Sequence, residues 1–150
     1  TSLRIAASIA KGIASGRAIP LYSAPSLLLM VAGSAWSSIA GRYLAVLDAM
    51  RGESFAACYE VLPGGTLKEI APVRLLGQSA LEASAAALSA TIMGIGCQLD
   101  AFPHARGVAV CQRSGGLYRV ELGAWEPAYG RLAEAQVKWE LTSARPLRGA

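Results

Sequence analysis

Cysteine and histidine are scarce in this sequence. Its 150 residues include three cysteines, Cys58, Cys97 and Cys111, and one histidine, His104. The cysteines are odd in number, widely spaced and form no CxxC pair, which argues against a disulfide scaffold and against a structural zinc site. This cysteine usage fits a reducing cytoplasm, and we predict that localisation.

Charged residues are also few, at 16%, whereas 53% of the residues are hydrophobic. A chain of this length and composition buries a core and is not a disordered tail. Its 14 lysines and arginines outnumber 10 acidic residues and give a net charge of +4. These cations are scattered along the chain, so the excess does not indicate direct nucleic-acid binding.

No hydrophobic run has the features of a signal peptide or a membrane span. The first residues lack a charged region followed by a cleavable apolar core. Residues 19–39 are the most apolar stretch, but Pro20, Pro25 and five serines interrupt them. A bilayer span needs about 20 largely unbroken apolar residues. We therefore predict a buried strand, turn and helix there, and no membrane association.

Apolar periodicity and turn residues predict an α/β organisation. Residues 2–15 have a helical pattern with Ile5, Ile9 and Ile13 on one stripe, and Gly16 is placed to end the helix. Residues 104–113 fit either a strand or a helix. The other predicted elements are strands at 19–22, 43–47, 54–62, 66–70 and 91–95, and helices from 25 to about 35 and over 73–88.

Residues suited to catalysis are few and scattered. Two aspartates and eight glutamates show no spacing that would place two carboxylates across a substrate. His104 has no acidic neighbour in sequence, so we interpret it as a structural or surface residue. A nucleophilic Cys58 or Cys111 partnered by His104 is the alternative, but cysteines in apolar runs favour packing roles. We predict no catalytic residue and no metal ligand.

Three other segments carry weak signals. Residues 94–96, Gly-Ile-Gly, resemble a phosphate-binding turn but lack the third glycine and the helix cap. Thr1 could act as an N-terminal nucleophile if its amine were free. Residues 48–53 form the densest polar cluster, and their position between two strands favours a hairpin turn.

Several stretches in order resemble one known family. They are residues 1–5 with 9–14, residues 19–23, residues 43–49 with 51–53, and residues 126–131 followed by 133–140. Together they look like the helix and strand, the hairpin, and the closing segment with its short tail helix of the bacterial TsaB proteins, also called YeaZ. This family is related to the glycoproteases within the ASKHA class, which includes actin, Hsp70 and sugar kinases.

The resemblance implies an α/β fold of actin-like, ribonuclease H-like ASKHA lobes. Residues 1–40 would be the remainder of a first lobe, including an interface helix, because the front of the family pattern is absent from this sequence. Residues 41–142 would form the second lobe, a mixed sheet with flanking helices, and residues 143–150 a tail.

The resemblance also implies a function and a set of partners. TsaB-like proteins are non-catalytic partners of the paralogous transferase TsaD. Together with the ATPase TsaE, this transferase makes threonylcarbamoyladenosine in tRNA. We therefore expect a scaffold subunit that contacts tRNA only indirectly and can form homodimers. ATP and magnesium are expected in the wider complex, with no cofactor assigned to this chain.

The first helix is the predicted interface. By analogy with the family we assign to it Arg4, Ile5, Ser8, Ile9 and Lys11. The alternative is that the second apolar stripe of this helix covers the sheet of its own lobe. Two functional alternatives also stay open, an ATP-dependent phosphotransferase or hydrolase of the ASKHA class and a glycoprotease-like peptidase.

Overall fold

The computed structural model describes residues 2–128. The helices are α1 (Ser2–Arg17), α2 (Ser26–Gly33), α3 (Gln78–Leu88) and α4 (Val108–Arg113), with a 3-10 turn at Ala105–Gly107. The strands are β1 (Leu21–Ser23), β2 (Gly41–Asp48), β3 (Glu53–Val61), β4 (Leu67–Gly77), β5 (Thr91–Gly94), β6 (Leu99–Asp100) and β7 (Tyr118–Val120). Thr1, the predicted tail helix and the tail at 143–150 lie outside the described residues.

A five-stranded mixed sheet organises the chain. Its strand order is β4-β3-β2-β5-β6, with antiparallel pairing of β2, β3 and β4 and parallel pairing of β2, β5 and β6. A separate two-stranded sheet pairs β1 with β7 in antiparallel register. The predicted α/β class, a mixed sheet with flanking helices, is confirmed. The predicted domain boundary at residue 40 stays a prediction.

Helices cover both faces of the large sheet because successive strand residues point to opposite sides. On one face, Tyr43, Ala45 and Tyr59 pack against α2 in the larger core cluster, which also contains Cys111 of α4. On the other face, Leu44, Val46 and Cys58 pack with Leu81 and Ala85 of α3. The sheet thus lies between two apolar layers.

The β2–β3 hairpin is closed by the polar cluster predicted to build a turn. Asp48 Oδ1 accepts a hydrogen bond from the Met50 amide at 2.8 Å. Met50, Arg51 and Gly52 adopt φ angles of 66°, 60° and 76°, which reverse the chain within a few residues. The interpretation of residues 48–53 as a hairpin turn is confirmed.

Two element predictions are wrong at their boundaries. Residues 73–77 belong to β4 and not to a helix, because Leu75 and Leu76 pair with Phe55 and Ser54 of β3. The register shifts around Cys58 accommodate Pro72, which an edge strand tolerates. The first helix also passes Gly16 and ends at Arg17, where Ala18 takes a φ of 51°.

The segment at 104–113, whose sequence fits either a strand or a helix, is helical from residue 105. Residues 105–113 form the 3-10 turn followed by α4. The apolar stretch at 19–39 contains β1 and the eight-residue α2. Within residues 2–128, no helix is both long and apolar enough to span a membrane.

Candidate protein interface

Helix α1 exposes its large apolar side chains and buries two of its alanines. Ile5, Ile9 and Ile13 are 55%, 58% and 56% exposed, whereas Ala7 and Ala14 are buried. Residues four apart lie on one face of a helix. These three side chains therefore form a continuous exposed ridge, which we call the isoleucine stripe.

Two glycines border the isoleucine stripe on the same side of α1. At 100° per residue, Gly12 and Gly16 lie within about a fifth of a turn of Ile5 and Ile9. A Cβ added at either glycine would meet no atom within 4 Å. Another helix could therefore approach the backbone of α1 closely beside the isoleucines.

The flank of α1 next to the stripe faces the end of the described chain. Lys11 Nζ lies 5.9 Å from the centroid of the Trp125 ring, within the range of a cation–π contact. A groove of about 390 Å³ separates α1 from residues 125–127, and Arg4 and Ser8 line it together with Lys11.

The five residues assigned to the interface from sequence are therefore divided between two sides of α1. Ile5 and Ile9 lie on the isoleucine stripe, whereas Arg4, Ser8 and Lys11 line the groove. The division follows from helix geometry, because at 100° per residue these three positions are rotated by about 100° to 160° from Ile9 at the centre of the stripe. Ile13 extends the stripe and was left out of the assignment, although its four-residue spacing from Ile9 signals it.

The only histidine among the described residues has a structural contact. His104 Nδ1 accepts a hydrogen bond from the Arg106 amide at 3.0 Å and caps the 3-10 turn. The neighbouring Arg106 Nε donates to the carbonyl oxygen of Gly33 at the end of α2. This arrangement fixes the turn against α2.

The two cysteines considered as nucleophiles are fully buried in separate core clusters. Cys58 belongs to the cluster on the α3 side of the sheet, and Cys111 belongs to the larger cluster on the α2 side. Burial raises the pKa of each thiol, which favours the protonated form. These thiols therefore pack in the core, and a reactive thiolate is disfavoured at both.

The glycine turn after β5 binds a carboxylate of its own chain. Asp100 Oδ1 accepts a hydrogen bond from the Gly96 amide at 2.9 Å. One of the N–H groups that a phosphate would need is thus already occupied. Over residues 2–128, no group of three histidine, cysteine, aspartate or glutamate side chains is arranged to hold a metal ion.

Comparison with solved structures identifies the fold to which α1 and the large sheet belong. No protein-family model matches the chain, and no curated protein matches it. A crystal structure of an uncharacterized protein with similarity to peptidase YeaZ from Pseudomonas aeruginosa matches with a TM-score of 0.65 and 25% identity, over 85% of this chain and 67% of that chain. The structure of YeaZ from Pseudomonas aeruginosa matches with a TM-score of 0.59 and 21% identity, over 84% of this chain and 66% of that chain.

The chain has a YeaZ-like fold. The resemblance predicted from the ordered sequence stretches is thereby confirmed. This YeaZ-like chain spans about two thirds of the length of each of the two solved structures. The isoleucine stripe lies on a helix of this fold, and it is the largest run of exposed aliphatic side chains on any one described helix.

Proposed function

We propose that this chain is a non-catalytic scaffold subunit that binds a TsaD-like transferase through α1 in the synthesis of threonylcarbamoyladenosine in tRNA. The observation that carries the proposal is the isoleucine stripe of a YeaZ-like fold. Soluble monomers rarely leave a contiguous row of large aliphatic side chains in water, and such rows mark surfaces for protein partners.

The chemistry of α1 suits a helix–helix contact. The isoleucines would supply the apolar centre, and Gly12 and Gly16 leave room for a partner helix to pack closely. Ser8, about 100° from Ile9 on the helix, would lie at the polar rim that is typical of specific interfaces. Arg4 and Lys11 would support the contact indirectly, by holding α1 beside residues 125–127. A TsaE-like ATPase, ATP and magnesium would enter through the wider complex, and tRNA contact would be indirect.

Light scattering after size exclusion tests the proposal. This chain is run alone and mixed with a TsaD-like transferase from the same organism, first without nucleotide and then with ATP and magnesium. We expect a stable mixed complex. Ile9→Arg should weaken its Kd about 30-fold or more, because a charge at a hot spot costs about 2 kcal/mol.

A matched control separates the interface from general surface effects. Ile95 is 72% exposed but lies in the turn after β5, so Ile95→Arg should leave the complex intact. Circular dichroism should be unchanged for both variants, since both side chains are exposed. Failure to form a complex in any nucleotide state contradicts the proposal, and heat from nucleotide binding by this chain alone would instead favour the ATP-dependent alternative.

Homodimerisation is a separate outcome of the same measurement. An exposed apolar helix can pair with a second copy when no paralogue is present. If α1 carries both contacts, the mixed complex should form at the expense of the homodimer. Ile9→Arg should then weaken both species while Ile95→Arg weakens neither.

A further inference from the structure

The two most exposed large apolar side chains in residues 2–128 lie at one edge of the large sheet. Ile95 is 72% exposed in the turn after β5, and Met50 is 69% exposed at the tip of the β2–β3 hairpin. Strands β2, β5 and β6 are parallel, so their carboxyl ends meet at this edge. Phe102, which follows β6, is 58% exposed. We call these three side chains the carboxyl-edge patch.

Hydrogen-bonded turns hold the two most exposed members of the patch. Ile95 lies in a turn closed by the Asp100 carboxylate, which accepts a hydrogen bond from the Gly96 amide. Met50 lies in the hairpin turn, where the Asp48 carboxylate accepts a hydrogen bond from the Met50 amide. A surface that is already ordered loses little conformational entropy when a partner binds. The carboxyl-edge patch is therefore a preformed surface.

A groove of about 570 Å³ opens beside Ile95, between the β2–β3 hairpin, the turn after β5 and the first residue of α3. Val46 and Leu47 give it apolar walls, and Asp48 and Glu53 place two carboxylates along it. None of the described residues that line this groove is basic, although the chain as a whole has a net charge of +4. The groove therefore combines an apolar wall with a local negative charge.

An arginine side chain has the chemistry that matches this groove. Its alkyl stem packs on apolar side chains while its guanidinium group donates hydrogen bonds to carboxylates. A phosphate group does not match, because the two carboxylates repel it and the Gly96 amide already donates to Asp100. A second copy that docked through the same patch would bring one acidic groove against another. Charge complementarity therefore favours a basic segment of a different protein.

We propose that the carboxyl-edge patch docks a partner protein through a segment that carries an arginine between large apolar side chains. The arginine enters the groove beside Asp48 and Glu53, and the flanking apolar side chains cover Ile95 and Met50. This arrangement has an apolar contact at its centre and charge pairs beside it, as is usual in specific interfaces. The surface shares no residue with α1, so one chain can bind a partner at each.

Fluorescence anisotropy of labelled synthetic peptides, titrated with the full chain, tests this proposal. The probe is a short peptide built around the sequence Leu-Arg-Leu, and the matched control peptide has glutamate in place of the arginine. We expect the arginine peptide to bind about tenfold more tightly or better, because the control replaces charge-assisted hydrogen bonds by repulsion. A third peptide, with alanine in place of both leucines, should also bind about tenfold more weakly than the probe.

Variants of the chain locate the surface that binds the arginine peptide. Ile95→Arg should weaken binding about tenfold or more, since it removes an apolar contact and places a cation beside the groove. Val73→Arg, at a 60% exposed position on β4, and Ile9→Arg on α1 are the matched controls, and both should bind within about twofold of the parent chain. Ile95→Ser is the milder variant if circular dichroism shows that Ile95→Arg is unfolded.

Several results would each overturn the proposal. They are no binding of the arginine peptide, equal affinity for the arginine and glutamate peptides, unchanged binding in both Ile95 variants, and an equal loss in Val73→Arg or Ile9→Arg. Displacement of the peptide by ATP would also overturn it, because the groove would then take an anion. None of these results affects the mixed complex with the transferase, which light scattering measures and which depends on Ile9, so the two proposals fail separately.

Discussion

Helices α1 and α2 are both rich in apolar residues but use them in opposite ways. Six of the eight residues of α2 are buried, including Met30 and Val31 at the centre of the larger cluster. Among the side chains described in the sixteen-residue α1, the buried ones are those of Ala7 and Ala14. Apolar content alone therefore does not tell whether a helix belongs to the core.

The position of each helix explains the difference. Helix α2 lies against β2 and β3, so its large side chains interdigitate with those of the sheet. Helix α1 precedes the short β1–β7 ribbon and approaches residues 125–127 through small residues and Lys11. Burial of alanine with exposure of isoleucine is the reverse of a core helix, and it leaves the isoleucines outside the core of the described residues.

The largest expected effect on stability comes from truncating a buried side chain of the core helix α2. Met30 is fully buried in the larger cluster, so Met30→Ala should lower the free energy of unfolding by about 2–5 kcal/mol through lost contacts and the cavity left behind. Urea denaturation measures this difference. Ile9→Ala on α1 is the matched control, and it should change the free energy by no more than about 0.5 kcal/mol. Equal losses in both variants would mean that the isoleucine stripe belongs to the core.

Substitutions of glycine by alanine test the same difference between the tightly packed end of α2 and the open surface of α1. A Cβ at Gly107 would lie 2.7 Å from the Gly33 nitrogen at the end of α2, so Gly107→Ala should cost about 1–3 kcal/mol through overpacking. A Cβ at Gly12 in α1 would meet no atom within 4 Å. Gly12→Ala should instead stabilise the chain by about 0.5–1 kcal/mol through helix propensity. A loss of stability in Gly12→Ala would reveal a close contact on α1.

Much of the fold could be predicted because local patterns and tertiary contacts agree. Residues 43–47 are a compact apolar run and residues 54–62 alternate loosely in polarity. The two segments flank a turn of Asp, Gly and charged residues, and they form the hairpin. At 73–77 the sequence pattern predicts a helix, because the alanines that follow favour one, but these residues belong to β4. Pairing with β3 decides the conformation there, since Leu75 pairs with Phe55 and tertiary contacts of this kind override helix propensity.

The candidate interface could be predicted only in part for a related reason. The sequence identifies a helix with two apolar stripes, but it does not reveal which stripe its own chain covers. That choice depends on the distant contact of Lys11 with Trp125 and on residues 126–127 beside it. Arg4 and Ser8 were assigned together with Ile5 and Ile9, although the completed fold places them on different sides.

The smallest expected effect is a loss of stability in mild alkali that depends on core thiols. Burial raises the pKa of Cys58 and Cys111 in the folded chain above the ordinary value of about 8.5. The unfolded chain therefore loses these protons first, and the stabilisation is complete below about pH 8.5 and falls as the pH rises. The urea midpoint should decrease between pH 7.5 and 9.5, a range that lies below the ordinary tyrosine pKa of about 10.

The double variant Cys58→Ala/Cys111→Ala tests the origin of that decrease. It removes both thiols from the two clusters that flank the sheet, so its midpoint should depend less on pH than that of the parent chain, even though its stability at pH 7.5 is lower. Cys97→Ala, at a half-buried site, should retain most of the decrease. An equal decrease in the double variant would contradict the assignment to core thiols. Helix α1 contains no cysteine. A thiol-dependent decrease in the urea midpoint would therefore report on the two buried apolar layers and not on the isoleucine stripe. This measurement needs no partner protein.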